Sequence, residues 1–204
     1  LKHDSDGISD EDMWKQLQKE YKDKYDMSWI GQYGFNNTYA LIVREEAAKK
    51  YNLTKTSQLA EVSDELVFGG NSDYIERKDG FHLLCDTYGL KFKDVKDIDI
   101  GLKYEALKKG DIDVSNGFTT DAQLSNDNVR VLEDDKHLQV NYFCSNVVRN
   151  DTLKSHPGLE EAIMKLDNSI TDKEMASLNY KVEVEGKEDV QVAKDYLTEK
   201  GIIK

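Results

Sequence analysis

Between residues 39 and 132 the sequence alternates between two hydrophobic periods, and this alternation restricts the fold more than any other feature. Apolar runs at 39–43, 65–69, 97–100, 112–115 and 129–132 are too short for helices and read as strands. Segments 45–51, 56–62, 79–88 and 102–109 lie between them and read as helices, the last two closed by Gly89 and Gly110. Strands alternating with helices predict an α/β layer with a largely parallel sheet. The flanks differ. Ser9 and Asp12 have the spacing of a capping box and open a helix carrying Met13, Leu17, Tyr21 and Tyr25. Residues 26–30 then read as a strand, 31–38 as a loop rich in Gly and Asn, and 139–148 as a further strand. After Pro157, which fits the first position of a helix, segments 158–167, 171–178 and 188–200 are helical with no strand among them. Such a tail must pack on a sheet supplied elsewhere.

The chain has 204 residues, room for one large domain or two lobes of about 100 residues each. Its formal charge is −12, its pI about 4.8 and its mean hydropathy −0.70. That charge argues against nucleic acid as a partner, since no Lys/Arg block is free of interspersed acids. No run of 18 apolar residues is long enough to span a bilayer. Cys85 and Cys144 form either one bridge or two buried thiols, too few for a disulfide framework or a four-cysteine zinc site. The sequence starts at Leu1 with no charged-then-apolar leader, and is expected to be a processed or excised piece of a longer product.

Catalytic signals are weak. Asp4-Ser5-Asp6-Gly7 resembles the start of a calcium loop, but its Gly comes fourth rather than sixth, which leaves a solvated turn. His3, His82, His137 and His156 show no metal-ligand spacing. His137 and Cys144 are seven residues apart, which on a strand puts them on opposite faces. Gly69-Gly70 is either a tight strand-to-helix turn or a cradle of backbone N–H groups for an anion. No nucleophile–base pair or metal constellation emerges, so binding rather than bond-breaking is expected, with no metal or cofactor. The aromatic residues carry the remaining signal. Tyr39, Phe118 and Tyr142 fall where strands begin or end, the place where open α/β sheets hold ligands. Aromatic residues there either cap the core or face a cationic ligand.

Gly34-Phe35-Asn36-Asn37-Thr38-Tyr39-Ala40-Leu41-Ile42-Val43-Arg44 resembles the crossing segment of the substrate-binding proteins of osmoprotectant ABC transporters. These are the glycine betaine, carnitine and choline binders of Gram-positive bacteria. Similar segments follow in the same order: Glu76-Arg77-Lys78-Asp79-Gly80, Tyr88-Gly89-Leu90-Lys91-Phe92, Thr119-Thr120-Asp121 and Leu132-Glu133-Asp134-Asp135-Lys136-His137. Leu178-Asn179-Tyr180-Lys181-Val182 and Ala193-Lys194-Asp195-Tyr196-Leu197 complete the series.

The resemblance implies an α/β fold of the type II periplasmic-binding-protein kind, two lobes with a hinge. Lobe 2 is expected at 38–136, and an incomplete lobe 1 at 1–37 and 137–204. The family's first strands, a ligand-contacting glutamine and a further cage tyrosine precede the point where Leu1 falls. The ligand implied is a quaternary ammonium or betaine-type compound. It would be caged by Tyr39, Phe118 (where the family has Tyr) and Tyr142, with Asn37, Asn71, Asn116 and Thr119 offering dipoles to a carboxylate or hydroxyl. The family's Phe-Phe-Pro-Pro is here Leu138-Gln139-Val140-Asn141. An ABC permease is the implied partner. The implied location is the extracellular face of the cytoplasmic membrane, by lipid anchor or fusion to the permease. An effector-sensing domain of a transcriptional regulator, on a similar fold, and a binder of another betaine such as ergothioneine are the alternative expectations.

Overall fold

A computed structural model describes residues 8–78, 80–125 and 128–204. The turn expected at residues 4–7 and the helix start expected at Asp79 lie outside the described residues. Helix α1 (Asp10–Tyr25) is capped by Ser9, whose Oγ accepts from Asp12 N–H at 3.1 Å. Strand β1 (Met27–Asn36) follows, and corrects the loop expected at 31–38. Its pairing is irregular around residues 31 and 33–35, where Gly31 and Gly34 take φ of 62° and 106°. Those glycines mark bulges inside a strand, which in composition look the same as a loop.

The middle of the chain runs β2 (Tyr39–Arg44), α2 (Glu45–Lys50), two 3₁₀ turns (Thr56–Glu61 and Ser63–Glu65), and β3 (Val67–Gly70). Then come α3 (Ser72–Glu76), α4 (Phe81–Tyr88), β4 (Asp94–Asp97), α5 (Lys103–Lys109), β5 (Val114–Phe118), a 3₁₀ turn (Ala122–Ser125) and β6 (Val129–Leu132). The strand expected at 97–100 thus lies three residues earlier. Asp94–Asp97 is an edge strand paired only to β3 and needs no apolar face. Ile98 and Ile100 leave the sheet for the pocket described below. The chain ends with β7 (Phe143–Arg149), α6 (Asn150–Ser155), α7 (Leu159–Met164), α8 (Asp172–Glu183) and α9 (Asp189–Glu199). Pro157 stands ahead of α7 rather than in its first turn, because Gly158, at φ 89°, is the residue before the helix.

The five-stranded sheet has the order β4-β3-β5-β2-β6. β3 pairs parallel with β4 and β5, while β2 pairs antiparallel with both β5 and β6. Four strands therefore point one way and β2, an interior strand between β5 and β6, runs against them, a refinement of the parallel sheet expected. β2 enters the sheet from the crossing Asn37–Thr38, at the end where β5 and β6 leave it. It is buried on both faces. Leu41 and Val43 join Phe68, Leu84, Val114 and Leu132 on one side, and Ile42 packs with Ala106, Leu107 and Ile112 on the other. Gly69 lies within β3, where an added Cβ would fall 2.5 Å from Ile112 Cδ1. Close packing of the strand against α5's side of the sheet is what requires that glycine.

β1 and β7 form a separate antiparallel pair. Helices α1, α7 and α8 pack on β1, and α9 packs on α8. Cys85 and Cys144 are free half-buried thiols; burial pushes Cys85 up to about 11 and raises Cys144 as well, which keeps both poor nucleophiles. Among the described residues no helix is long and apolar enough to cross a membrane.

Candidate functional site

Two segments carry the chain between the sheets: Asn37–Thr38 from β1 to β2, and residues 133–142 from β6 to β7. They are tied to each other side by side. The Asn36 side chain donates to Asn141 Oδ1 and accepts from Tyr142 N–H, both at 2.6 Å. Thr38 Oγ1 donates to the Val140 carbonyl at 2.6 Å, and Asn37 N–H donates to the Tyr142 carbonyl at 3.1 Å. The Thr119 hydroxyl donates to the Asn36 carbonyl, and Thr120 Oγ1 donates to Asn37 Oδ1 at 2.9 Å. Asn36 N–H reaches Asp172 at the head of α8 at 2.7 Å. Among the residues expected to meet a ligand, Asn37 thus engages its Oδ1, and Thr119 its hydroxyl, in the crossing itself.

Tyr39 stands at the first position of β2, directly opposite Phe118 at the last position of β5. The register stacks the two rings at 5.0 Å between centroids, 23° from parallel. Tyr74 of α3 buttresses Tyr39 at 5.3 Å. Beside the pair lies a pocket of about 90 Å³, lined by Tyr39, Phe118, Asn71, Asn116, Asp73 and Lys103, with Gly70, Ile98 and Ile100 completing it. Four of the seven expected site residues are brought together here. Asn116 is buried, and its Oδ1 would lie only 3.0 Å from a Cβ at Gly70. Glycine at that position therefore lets the β3 backbone form one wall. Asn71 precedes α3, and its side chain makes no cap bond to that helix. Tyr142 is not among the lining residues; it is 60% exposed on the second crossing segment. Its volume is well below the roughly 300–1,000 Å³ of a complete small-molecule site. A wider groove of about 1,000 Å³, lined by Arg130, Glu45, Lys49 and Asp172, has no aromatic wall, and its Arg130–Glu45 pair is already closed at 2.6 Å.

Sequence reasoning missed Lys103 and Asp121. Lys103 is buried at the start of α5, and its Nζ lies 3.0 Å from Asp121 Oδ2. The same oxygen accepts from the Tyr104 hydroxyl at 2.6 Å and from Phe118 N–H at 3.1 Å. Burial, and then the hydrogen bond to Asp121, raise the Tyr104 phenol well above its ordinary range. Asp121 thereby fixes the backbone that carries the Phe118 ring. A signal for Lys103 was present: it shares a helix face with Ala106 and Leu107, at i+3 and i+4. A lysine on the buried face of an amphipathic helix needs a partner, and in sequence the partner is not visible.

A five-stranded α/β layer and a second layer joined to it by two crossing segments, with a pocket at the strand ends beside that crossing, have the architecture of the type II periplasmic-binding-protein class. The family model for the substrate binding domain of ABC-type glycine betaine transport systems (OpuAC) matches residues 7–199. The chain belongs to that family. It is 38% identical over 186 residues to the ergothioneine transport permease/ergothioneine binding protein EgtU of Helicobacter pylori, covering 91% of this chain and 34% of that protein. It is 36% identical over 182 residues to the carnitine transport binding protein OpuCC of Listeria monocytogenes, covering 89% of this chain and 59% of the relative. The crystal structure of a glycine betaine/carnitine/choline ABC transporter superposes with a TM-score of 0.88 at 36% identity, over 95% of this chain and 71% of the other. The chain thus spans about a third of the length of the first of these sequence relatives and about three fifths of the second.

Proposed function

We infer that this chain is the ligand-holding part of the solute-binding component of an ABC importer, which captures a quaternary ammonium or betaine-type compound such as choline, glycine betaine or carnitine. The observation that carries this reading is the stacked pair Tyr39–Phe118, presented at strand ends beside the dipoles of Asn71 and Asn116. Aromatic faces attract a cation whose nitrogen is fully alkylated and has no N–H to donate, by up to about 2 kcal/mol per ring once water is excluded. Residues 38–136 act as one lobe, and 1–37 with 137–204 belong to the other. Tyr142, exposed on the crossing segment, joins the cage when the lobes close. Closure removes water from the ligand and strengthens each polar contact. The loaded component then delivers its ligand to a permease at the extracellular face of the cytoplasmic membrane, held there by a lipid anchor or by fusion to the permease. Ergothioneine is the second reading for the ligand, favoured by the 38% identity to EgtU across 91% of this chain.

Isothermal titration of the full natural polypeptide with choline, glycine betaine, carnitine and ergothioneine tests this. At least one is expected to bind, with Tyr39→Ala weakening it by about 1–2 kcal/mol. Absence of heat with all four removes the ligand class. Unchanged affinity in a folded Tyr39→Ala removes the cage.

A further inference from the structure

A cage for a cation does not explain Lys103. The Lys103 side chain is 8% exposed, and it is one of the pocket's lining residues. Its ammonium sits 5.9 Å from the Phe118 ring centroid and 5.0 Å from that of Tyr104. The partner carboxylate, Asp121, does not line the pocket; it is drawn back under the strand end by Tyr104 and the Phe118 N–H. Of this ion pair, the pocket wall therefore includes Lys103 and not Asp121. An ammonium has three N–H donors, and Asp121 engages one at 3.0 Å. The other acidic group at the pocket, Asp73, is 75% exposed at the rim, where water screens it.

A fixed cation beside the ring that is to receive a second cation repels a bare quaternary ammonium. The same cation attracts a molecule whose carboxylate lies a few atoms from its ammonium group. We propose that Lys103 is a specificity-determining residue, which selects zwitterionic ligands carrying both a quaternary ammonium and a carboxylate over ammonium compounds without the carboxylate. The proposal rests on the binding reading above. The ligand's ammonium lies on Tyr39 and its carboxylate accepts a charge-assisted hydrogen bond from Lys103 Nζ. Asn116 and Asn71 solvate the remaining carboxylate edge. Asp121 serves as a positioning residue: it holds both the lysine and the Phe118 backbone, so ring and charge stay in fixed relation.

The test compares glycine betaine with choline, which has a hydroxyl in place of the carboxylate, by titration calorimetry on the full natural polypeptide. The wild type is expected to prefer glycine betaine. K103Q is expected to lose about tenfold to a hundredfold in glycine betaine affinity, the range for a hydrogen bond to a charged group. Choline affinity is expected to stay level or rise, because the repulsion is gone. K103R keeps the charge and is expected to keep the preference, with thermal unfolding verifying the fold of each variant. Equal losses for both ligands in K103Q, no loss at all, or a folded K103R without the preference each overturn the assignment. Should K103Q not fold, K103M, which fills the buried site with an uncharged apolar chain, takes its place with the same expected and overturning outcomes. If the wild type binds choline but not glycine betaine, the binding reading stands and this inference falls. If it binds neither, both fall.

Discussion

The two layers of this chain are built from similar apolar patterns, yet they finish differently. Among the described residues, the buried apolar side chains outside the five-stranded layer are Ile30, Ala176 and Val192. Within that layer, Ile42, Val43, Phe68, Ile112 and Val114 are wholly buried. The β1/β7 layer instead keeps an apolar groove of about 360 Å³, walled by Tyr33 and Ile170, by Leu178 and Val182 of α8, and by Tyr196 and Leu197 of α9. It also holds a buried donor with no hydrogen-bond partner, Trp29 Nε1, boxed in edge-on by Trp14 and Tyr21 at 5.7 and 5.2 Å. Helical periodicity says which residues are ready for burial; it does not say what buries them. The first layer carries a closed core, and the second is closed only in part.

The sharpest way to break that contrast is Phe68→Ala. Phe68 is 0% exposed and its ring meets those of Phe81, Phe92 and Tyr74 at 4.6, 5.2 and 6.3 Å. Truncation should cost about 3–5 kcal/mol, since the surrounding rings are held by α3, α4 and the short connection from α4 to β4 and relax little. Urea unfolding of the chain measures this. A cost near 1 kcal/mol would mean that the five-stranded layer is no better closed than the other.

Gly117→Ala comes next and ties stability to the pocket. A Cβ at Gly117 would stand 2.1 Å from Ile42 Cδ1, 3.0 Å from Asp121 Oδ2 and 3.1 Å from the Tyr104 hydroxyl. Ile42 is fully buried and has no free direction, so the clash resolves by moving β5. Overpacking of this kind costs about 1–3 kcal/mol. Because Gly117 precedes Phe118, ligand affinity should fall together with stability. A variant that loses stability and keeps full affinity would show that the Phe118 ring position matters little.

Val192→Ala probes the open layer. Val192 is 6% exposed on α9 and lines the groove. The loss should be about 1 kcal/mol, because neighbours around an incompletely filled groove can settle into the space. A loss as large as that of Phe68→Ala would erase the contrast between the layers.

How much of this was legible in the sequence depends on how local each determinant is. The Ser9 cap and the ends of α4 and α5 at Gly89 and Gly110 are decided by neighbouring residues, and they form where the spacing places them. The stretch 31–36 was misread because Gly31 and Gly34 supply positive φ in a bulged strand as readily as in a loop. The reversed direction of β2 is a property of the crossing, which no segment of the sequence encodes by itself. In the site, Tyr39 and Phe118 were legible as residues at strand ends, whereas their stacking required the β2/β5 register. Lys103 stayed hidden because its meaning lies in Asp121, at a separation of 18 residues. For Asn37 and Thr119 the sequence shows only polar residues beside a cage, whereas the bonds of Asn37 Oδ1 and the Thr119 hydroxyl within the crossing emerge only from its geometry.

The smallest expected effect concerns the clasp between α8 and α9. Glu174 accepts from Lys200 Nζ at 2.5 Å, and from the Thr171 N–H and hydroxyl at 2.8 Å each. The Lys200 hydrogen bond first, and the Thr171 bonds after it, lower its carboxyl from 4.5 to about 2. A carboxyl that is more acidic in the folded chain than in the unfolded one stabilises the fold fully above about pH 4.5. That contribution is lost as the pH falls through about 2. The Glu174 and Lys200 side chains are 33% and 37% exposed, so solvent and salt limit the effect on stability to about 1 kcal/mol or less. Thermal unfolding of the wild type and Glu174→Gln should therefore differ at pH 7 and converge towards pH 2. High salt should narrow the gap at pH 7 as well. A difference that persists unchanged into acid would show that the variant acts through the Thr171 cap alone, and that the clasp does not help hold the open layer together.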